Sequence, residues 1–210
     1  MSINCLDGLI LNDYKNSIKF YKSERARETL DNLKVIEGKL AGSSPFIQIH
    51  LINSGLIKSG TGLPRLEDLE KVIGLDNTFL TSSSTDSGLS YTDFGLVLRS
   101  RRDYSHPKNN LLAKRLYDQL ENRGIKFGLG KLIYLSALEL KEEENSAYGL
   151  VFDLKEDLQD YILDLHNFGW NYSRNEGLSI ACIGRKWKSC IGEILDRSNG
   201  NGRIFTVDRI

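Results

Sequence analysis

Leu178-Ser179-Ile180-Ala181-Cys182-Ile183-Gly184, then Arg185-Lys186-Trp187-Lys188, then Ser189-Cys190-Ile191, is the clearest β signal in the chain. Both flanks are rich in branched and small apolar residues, and the basic interruption is short enough to be a turn. Further on, Ser198-Asn199-Gly200-Asn201-Gly202 contains Asn-Gly, which supplies the positive φ angles of a tight hairpin. Residues 203–208 read as its return strand. The segments 178–184, 189–197 and 203–208 thus predict an antiparallel meander that ends the chain.

Working outward, residues 94–100 predict another strand. Residues 132–141 and 148–155 predict two more, joined by the acidic turn Glu142-Glu143-Glu144-Asn145-Ser146. Phe46–Ile52 alternates Ile47, Ile49 and Leu51 with Gln48 and His50, the period of a half-buried strand. Four segments carry helical spacing. In 13–41, Ile18, Tyr21, Leu30, Leu33, Ile36 and Leu40 form a seam around a polar middle, Lys22 to Glu28. A short helix follows Pro64. Over 109–123, Leu112, Leu116 and Leu120 make one face, Asn109 or Asn110 can cap it and Gly124 closes it. Leu158, Tyr161, Ile162 and Leu165 give 156–166 the same character. Thr81 to Gly88 reads as a polar surface loop.

This order lacks strict strand–helix alternation. It predicts an α+β fold with a long N-terminal helix, a mixed, mostly antiparallel sheet and a C-terminal β-meander. Strand 94, helix 109–123 and strand 132 are also compatible with one crossover unit. Residues 1–42 read as an N-terminal helical segment and 43–210 as an α+β globular domain, or the two as one domain.

The 210 residues are 40% hydrophobic and 27% charged, an ordinary balance for a folded domain. No apolar run approaches the roughly 20 residues needed to cross a bilayer, and no basic start precedes Leu9-Ile10-Leu11 as in a signal peptide. Cys5, Cys182 and Cys190 are few and widely spaced, which points to a reducing, cytoplasmic setting and to small buried thiols. His50, His106 and His166 lack zinc spacing, and no motif implies a cofactor.

Net charge is zero, yet charge is sorted. Residues 99–136 carry nine Lys/Arg against three Asp/Glu, 137–167 two against nine, and 168–210 seven against four. Local field, not total charge, steers a charged partner.

Several constellations could carry chemistry. Gly124-Ile125-Lys126-Phe127-Gly128-Leu129-Gly130-Lys131 is glycine-rich, but it leads from helix to strand and lacks the hydroxyl of a phosphate-binding P-loop, so it reads as a helix cap and turn. Glu139 with Asp153-Leu154-Lys155 has the residue types of a Mg²⁺-dependent phosphodiesterase. A turn centred on Glu144 would offset the two acids by four residues, about 13 Å, too far to share an ion. Asp103-Tyr104-Ser105-His106 reads as a turn, and His50 and His106 as surface residues.

The basic blocks interleave with aromatics. Arg99, Arg101, Arg102, Tyr104 and Lys108 form one segment, and Arg185, Lys186, Trp187 and Lys188 another. Cations hold phosphates and rings stack on unpaired bases. The expectation is a non-catalytic nucleic-acid-associated protein in which these nine residues meet as one exposed cationic strip. The alternatives are a protein-interaction or self-association module using the N-terminal helix, and the Mg²⁺ phosphodiesterase.

Overall fold

Leu112, Leu116 and Leu120 are fully buried, so the stripe read from the sequence is the inner face of a helix. Burying each contributes about 2 kcal/mol, more than helix propensity alone supplies. The computed structural model describes residues 3–5, 11–32, 35–36, 39–40, 44–57, 61–75, 91–99, 106–125, 130–156, 162–164, 171–172, 177–184, 187–191, 195–196 and 202–208. Outside them lie the polar loop Thr81 to Gly88, His166, and most of the turn around Asn199-Gly200.

In chain order the elements are β1 (Ile3–Cys5), α1 (Leu11–Ser17), α2 (Glu24–Asp31), β2 (Val35–Ile36), β3 (Lys39–Leu40), α3 (Pro45–Asn53), β4 (Thr61–Gly62) and α4 (Leu66–Leu75). There follow β5 (Tyr91–Leu98), α5 (Asn110–Asn122), β6 (Lys131–Tyr134), β7 (Leu138–Glu142), β8 (Leu150–Leu154), β9 (Ile162–Asp164), β10 (Asn171–Tyr172), β11 (Leu178–Gly184), β12 (Trp187–Ile191) and β13 (Phe205–Asp208). Short 3₁₀ turns at Ile18–Phe20, Pro107–Asn109 and Leu135–Ala137 precede or join these elements.

The main sheet has the order β10-β12-β11-β5-β6-β9, antiparallel except for the β10–β12 pair. Thr92 to Leu98 are all buried, so β5 is covered on both faces. Leu96, Leu98, Ile133, Leu178 and Ile180 join the main core with α3 and α5. Val97, Leu132 and Tyr134 are buried too, and the Tyr134 hydroxyl lies 3.5 Å from the Glu67 carboxylate of α4. The chain is α+β with antiparallel sheets, as its pattern predicts.

Several local expectations are corrected. No long N-terminal helix forms: α1 and α2 are separated at Tyr21–Ser23, and Val35–Ile36 pairs with Lys39–Leu40 as a hairpin. The polar middle is the break. Ser23 caps α2, its hydroxyl accepting from Ala26 N–H at 3.2 Å.

The alternating stretch 46–52 is not a strand but part of α3, with Pro45 in its first turn. Every residue from Pro45 to Leu51 is buried, so no polar face exists. Gln48 donates to the Asp93 carbonyl at 2.7 Å. Phe46 stacks on Phe152 with centroids 4.8 Å apart.

Ile162–Asp164, expected in a helix, pairs with β6 instead. The third strand of the expected meander leaves it: β11 and β12 form a hairpin, while β13 pairs with β1 and β4. β5 and β6 are antiparallel neighbours, so α5 does not make a parallel crossover. Asn109 precedes α5 but its side chain caps nothing; it accepts from the Tyr148 hydroxyl at 2.9 Å. Cys182 is buried and forms no disulfide, consistent with the packing role expected of it.

Candidate functional site

The sheet register decides where the basic segments go. Leu98 at the end of β5 lies opposite Lys131 at the start of β6. Arg99 follows at once, its N–H donating to Gly177 at 3.1 Å. The connection from 99 to 131 therefore leaves and rejoins the sheet at one end. Lys108 stands in the 3₁₀ turn before α5, its side chain 45% exposed, 3.9 Å from Asp196 and 5.5 Å from the Tyr148 ring centroid. Arg101, Arg102 and Tyr104 lie outside the described residues, as do Arg185 and Lys186.

Gly184 pairs with Trp187 and also with Tyr91, at the opposite end of β5. From Tyr91 to Leu98 is seven residue steps, about 23 Å. The backbone of Trp187 and Lys188 thus starts β12 far from Arg99. Among the described residues, Arg99 and Lys131 thus stand at one end of β5 and the start of β12 at the other.

In the acidic block, Glu139 sits directly opposite Asp153 in the β7–β8 register. The expected four-residue offset is corrected, because the turn closes around Ser146 instead of Glu144. Ser146 fixes it there, donating to the Leu150 carbonyl at 2.6 Å and accepting from Tyr148 N–H at 3.2 Å.

The juxtaposed acids are nonetheless engaged. Asp153 accepts from Arg115 Nε at 2.5 Å and Nη2 at 3.0 Å, and from Gln119 at 2.8 Å. Arg115, which belongs to the basic block, also lies 3.8 Å from Glu143. The Arg115 hydrogen bonds, opposed in part by burial, hold the Asp153 carboxyl below its usual range. Glu139 pairs with Lys141 at 3.0 Å. Among the described residues no three acids, histidines or cysteines cluster as metal ligands do.

Replacing Arg115 by methionine should cost about 2 kcal/mol of stability, less than for a fully buried pair because Arg115 is about one-third exposed. A urea double-mutant cycle with Asp153→Asn should return about 1–2 kcal/mol of coupling; additivity would show the pair to be inert.

His50 was expected at the surface and is buried. Its Nε2 lies 2.7 Å from Ser17 Oγ and its Nδ1 3.1 Å from the Tyr21 hydroxyl. Ser17 donates its single proton to the Tyr14 carbonyl at 2.6 Å. Counting protons then assigns the tautomer: Nε2–H donates to Ser17 and Nδ1 accepts from Tyr21. A nucleophilic serine would need Nε2 to accept, so this chain of bonds runs opposite to a Ser–His catalytic pair. It fastens the end of α1, and Tyr21 beyond the following 3₁₀ turn, to α3.

Sequence reasoning also missed a cavity of about 190 Å³ among α3, β4 and the Leu135–Ala137 turn. Ile49, Ile52, Leu63, Leu135 and Leu138 make its apolar wall, and Ser136 and Lys155 are polar members of the lining. Lys155 Nζ donates to the Ser136 carbonyl at 2.8 Å. Its backbone is pinned as well: its N–H donates to Ala137 at 2.9 Å, and its carbonyl accepts from Arg123 at 2.6 Å. The only sequence signal was a lysine following an acidic strand residue. The long N-terminal seam offers less for a partner: Tyr14, Ile18, Ala26 and Leu30 are buried in the core. Among the described residues no helix is long and apolar enough to cross a membrane. No protein-family model, curated protein or solved structure matches this chain.

Proposed function

We propose that this chain is a non-catalytic nucleic-acid-associated protein that holds the phosphates of a single strand at one end of its sheet. The observation that carries the reading is the pairing of Leu98 with Lys131, which brings Arg99 and Lys131 to one end of the sheet. Arg99, Arg101, Arg102 and Lys108 supply cations there and Tyr104 a stacking ring. The ion pair of Lys108 with Asp196 is long and exposed enough for a phosphate to compete with it. Trp187 and Lys188 start β12 at the other end of the sheet, and neither they nor Arg185 and Lys186 are needed for this grip. Support for a non-catalytic role comes from the internal partners that engage Asp153, Glu139 and His50.

Anisotropy of a labelled single-stranded oligonucleotide tests it. Affinity should fall steeply from about 50 to about 200 mM salt. In an Arg101→Ala/Arg102→Ala/Lys108→Ala triple variant the slope of log K against log salt should shrink by about 2, roughly 0.7 per lost phosphate contact. A Lys186→Ala/Lys188→Ala variant should keep the slope. Absence of binding at low salt, or equal slopes in the triple variant and the parent, would overturn the proposal.

A further inference from the structure

Two independent features meet at the cavity beside α3. The first is shape and lining: about 190 Å³ of space in which five aliphatic side chains share the wall with Thr61, Ser136 and one cationic side chain. The second is a polar group without a protein partner. Ser136 Oγ is buried and makes no hydrogen bond, although buried hydroxyls are nearly always paired. The Ser136 carbonyl is taken by Lys155, so the same residue has its backbone satisfied and its side chain not.

A group that entered here would find aliphatic contact on Ile49, Leu63 and Leu138, an ammonium already anchored at the lining, and the Ser136 hydroxyl once its side chain turns out of the wall that covers it. Hydroxyl plus ammonium suits an acceptor-only, negatively charged group, because a carboxylate can take a bond from each. The volume equals that of roughly six liquid waters, which limits the ligand to a few carbons. A phosphate or a dianion is disfavoured: the single cation of the lining would leave the second charge without a counter-charge.

We infer that this cavity is a binding site for a short aliphatic monocarboxylate of about four to six carbons, its carboxylate held by Lys155 and Ser136 and its chain against the aliphatic wall. The site is separate from the sheet end assigned to nucleic acid, so either assignment can fail alone.

The test is calorimetric titration of the full chain with pentanoate, against pentan-1-ol as the uncharged probe. Pentanoate should bind saturably with Kd on the order of 1 mM. Pentan-1-ol should bind at least about tenfold more weakly, the usual loss when a charge-assisted hydrogen bond is removed. Lys155→Met should weaken pentanoate by about tenfold and leave pentan-1-ol unchanged, and Ser136→Ala should cost a smaller factor in the same direction. Lys155→Arg, which keeps the charge, guards against a folding artefact by retaining most of the affinity. No heat from pentanoate up to about 20 mM, equal affinity for acid and alcohol, or Lys155→Met and Ser136→Ala variants that bind pentanoate like the parent would each overturn the inference.

Discussion

Gly149→Ala is expected to lower the unfolding free energy by about 3 kcal/mol, or roughly 6–12 °C in melting temperature for a chain this long. Gly149 has φ +67°, a conformation that costs an L side chain about 1–2 kcal/mol. An added Cβ would also stand 2.5 Å from Ala26 N and 2.9 Å from Ser23 Oγ. Neither can yield cheaply, because both belong to the N-terminus of α2, where the structure is tied on every side. The Glu142 carboxylate accepts from Lys22 and Ser23 N–H at 2.8 and 3.0 Å, and Thr29 donates to the Tyr148 carbonyl at 2.9 Å. The β7–β8 turn is thus the seat of α2, and the missing side chain at 149 sets how closely they approach. Gly124 provides the control. It has φ +72° with nothing within 4 Å of an added Cβ, so Gly124→Ala should cost only the backbone part, about 1 kcal/mol. Equal losses at the two positions by urea or thermal unfolding would show that the α2 contact contributes nothing.

What the sequence made legible was local. The Leu112, Leu116 and Leu120 spacing with Gly124 behind it could only be a helix one face of which is buried, and it is. The β character of 94–98 and 178–184 was equally plain, since branched apolar residues fill both faces of a covered strand.

Long-range partnership was not legible. Residues 203–208 read as the return of a hairpin, but the edge that β13 takes is offered by β1, some 200 positions away. Residues 162–164 carry helical spacing, and pairing with β6 overrides it. The stretch 46–52 misled for a different reason. Gln48 and His50 look solvent-facing by type, but each finds a buried partner, so alternation of residue type did not mean alternation of environment. Pro45, the first residue of α3, is the local sign of a helix start that the period of two obscures.

The site divides along the same line. That 99–136 is basic could be counted from the sequence; that Arg99 and Lys131 return to one end of the sheet required the β5–β6 register. The Glu139–Asp153 pair shows how little error suffices. Shifting the turn centre by two residues moves the register by four and turns acids about 13 Å apart into direct neighbours. Their engagement by Lys141 and by Arg115 could not be read at all, since Arg115 lies on α5 and 38 residues from Asp153.

Acid should act on this protein first through His50. Burial pushes its pKa from the ordinary 6.5 down to about 4. Both ring nitrogens are bonded to hydroxyls; among the described residues the groups around the ring are Ser17, Tyr14 and Tyr21, with Glu142 acting on Tyr21. Tyr21 is itself held neutral, its pKa raised to about 12 chiefly by burial, so it cannot serve as a counter-ion. Above pH 6.5 the imidazole is neutral in both folded and unfolded chains and stability is unaffected. As pH falls toward 4 the unfolded chain takes up a proton that the folded chain refuses, so stability falls through that window, by up to about 3 kcal/mol in all. Asp153 acts in the same direction but in a separate range: its depressed carboxyl keeps its contribution down to about pH 4 and gives it up only below that. Chemical denaturation between pH 8 and pH 4 should therefore show a loss that disappears in His50→Gln, which keeps an amide donor and acceptor but does not titrate. His50→Gln should be the less stable chain near pH 8 and should approach or overtake the parent near pH 4. An unaltered pH slope in that variant would mean that the buried Ser17–His50–Tyr21 chain does not set the acid sensitivity of the fold.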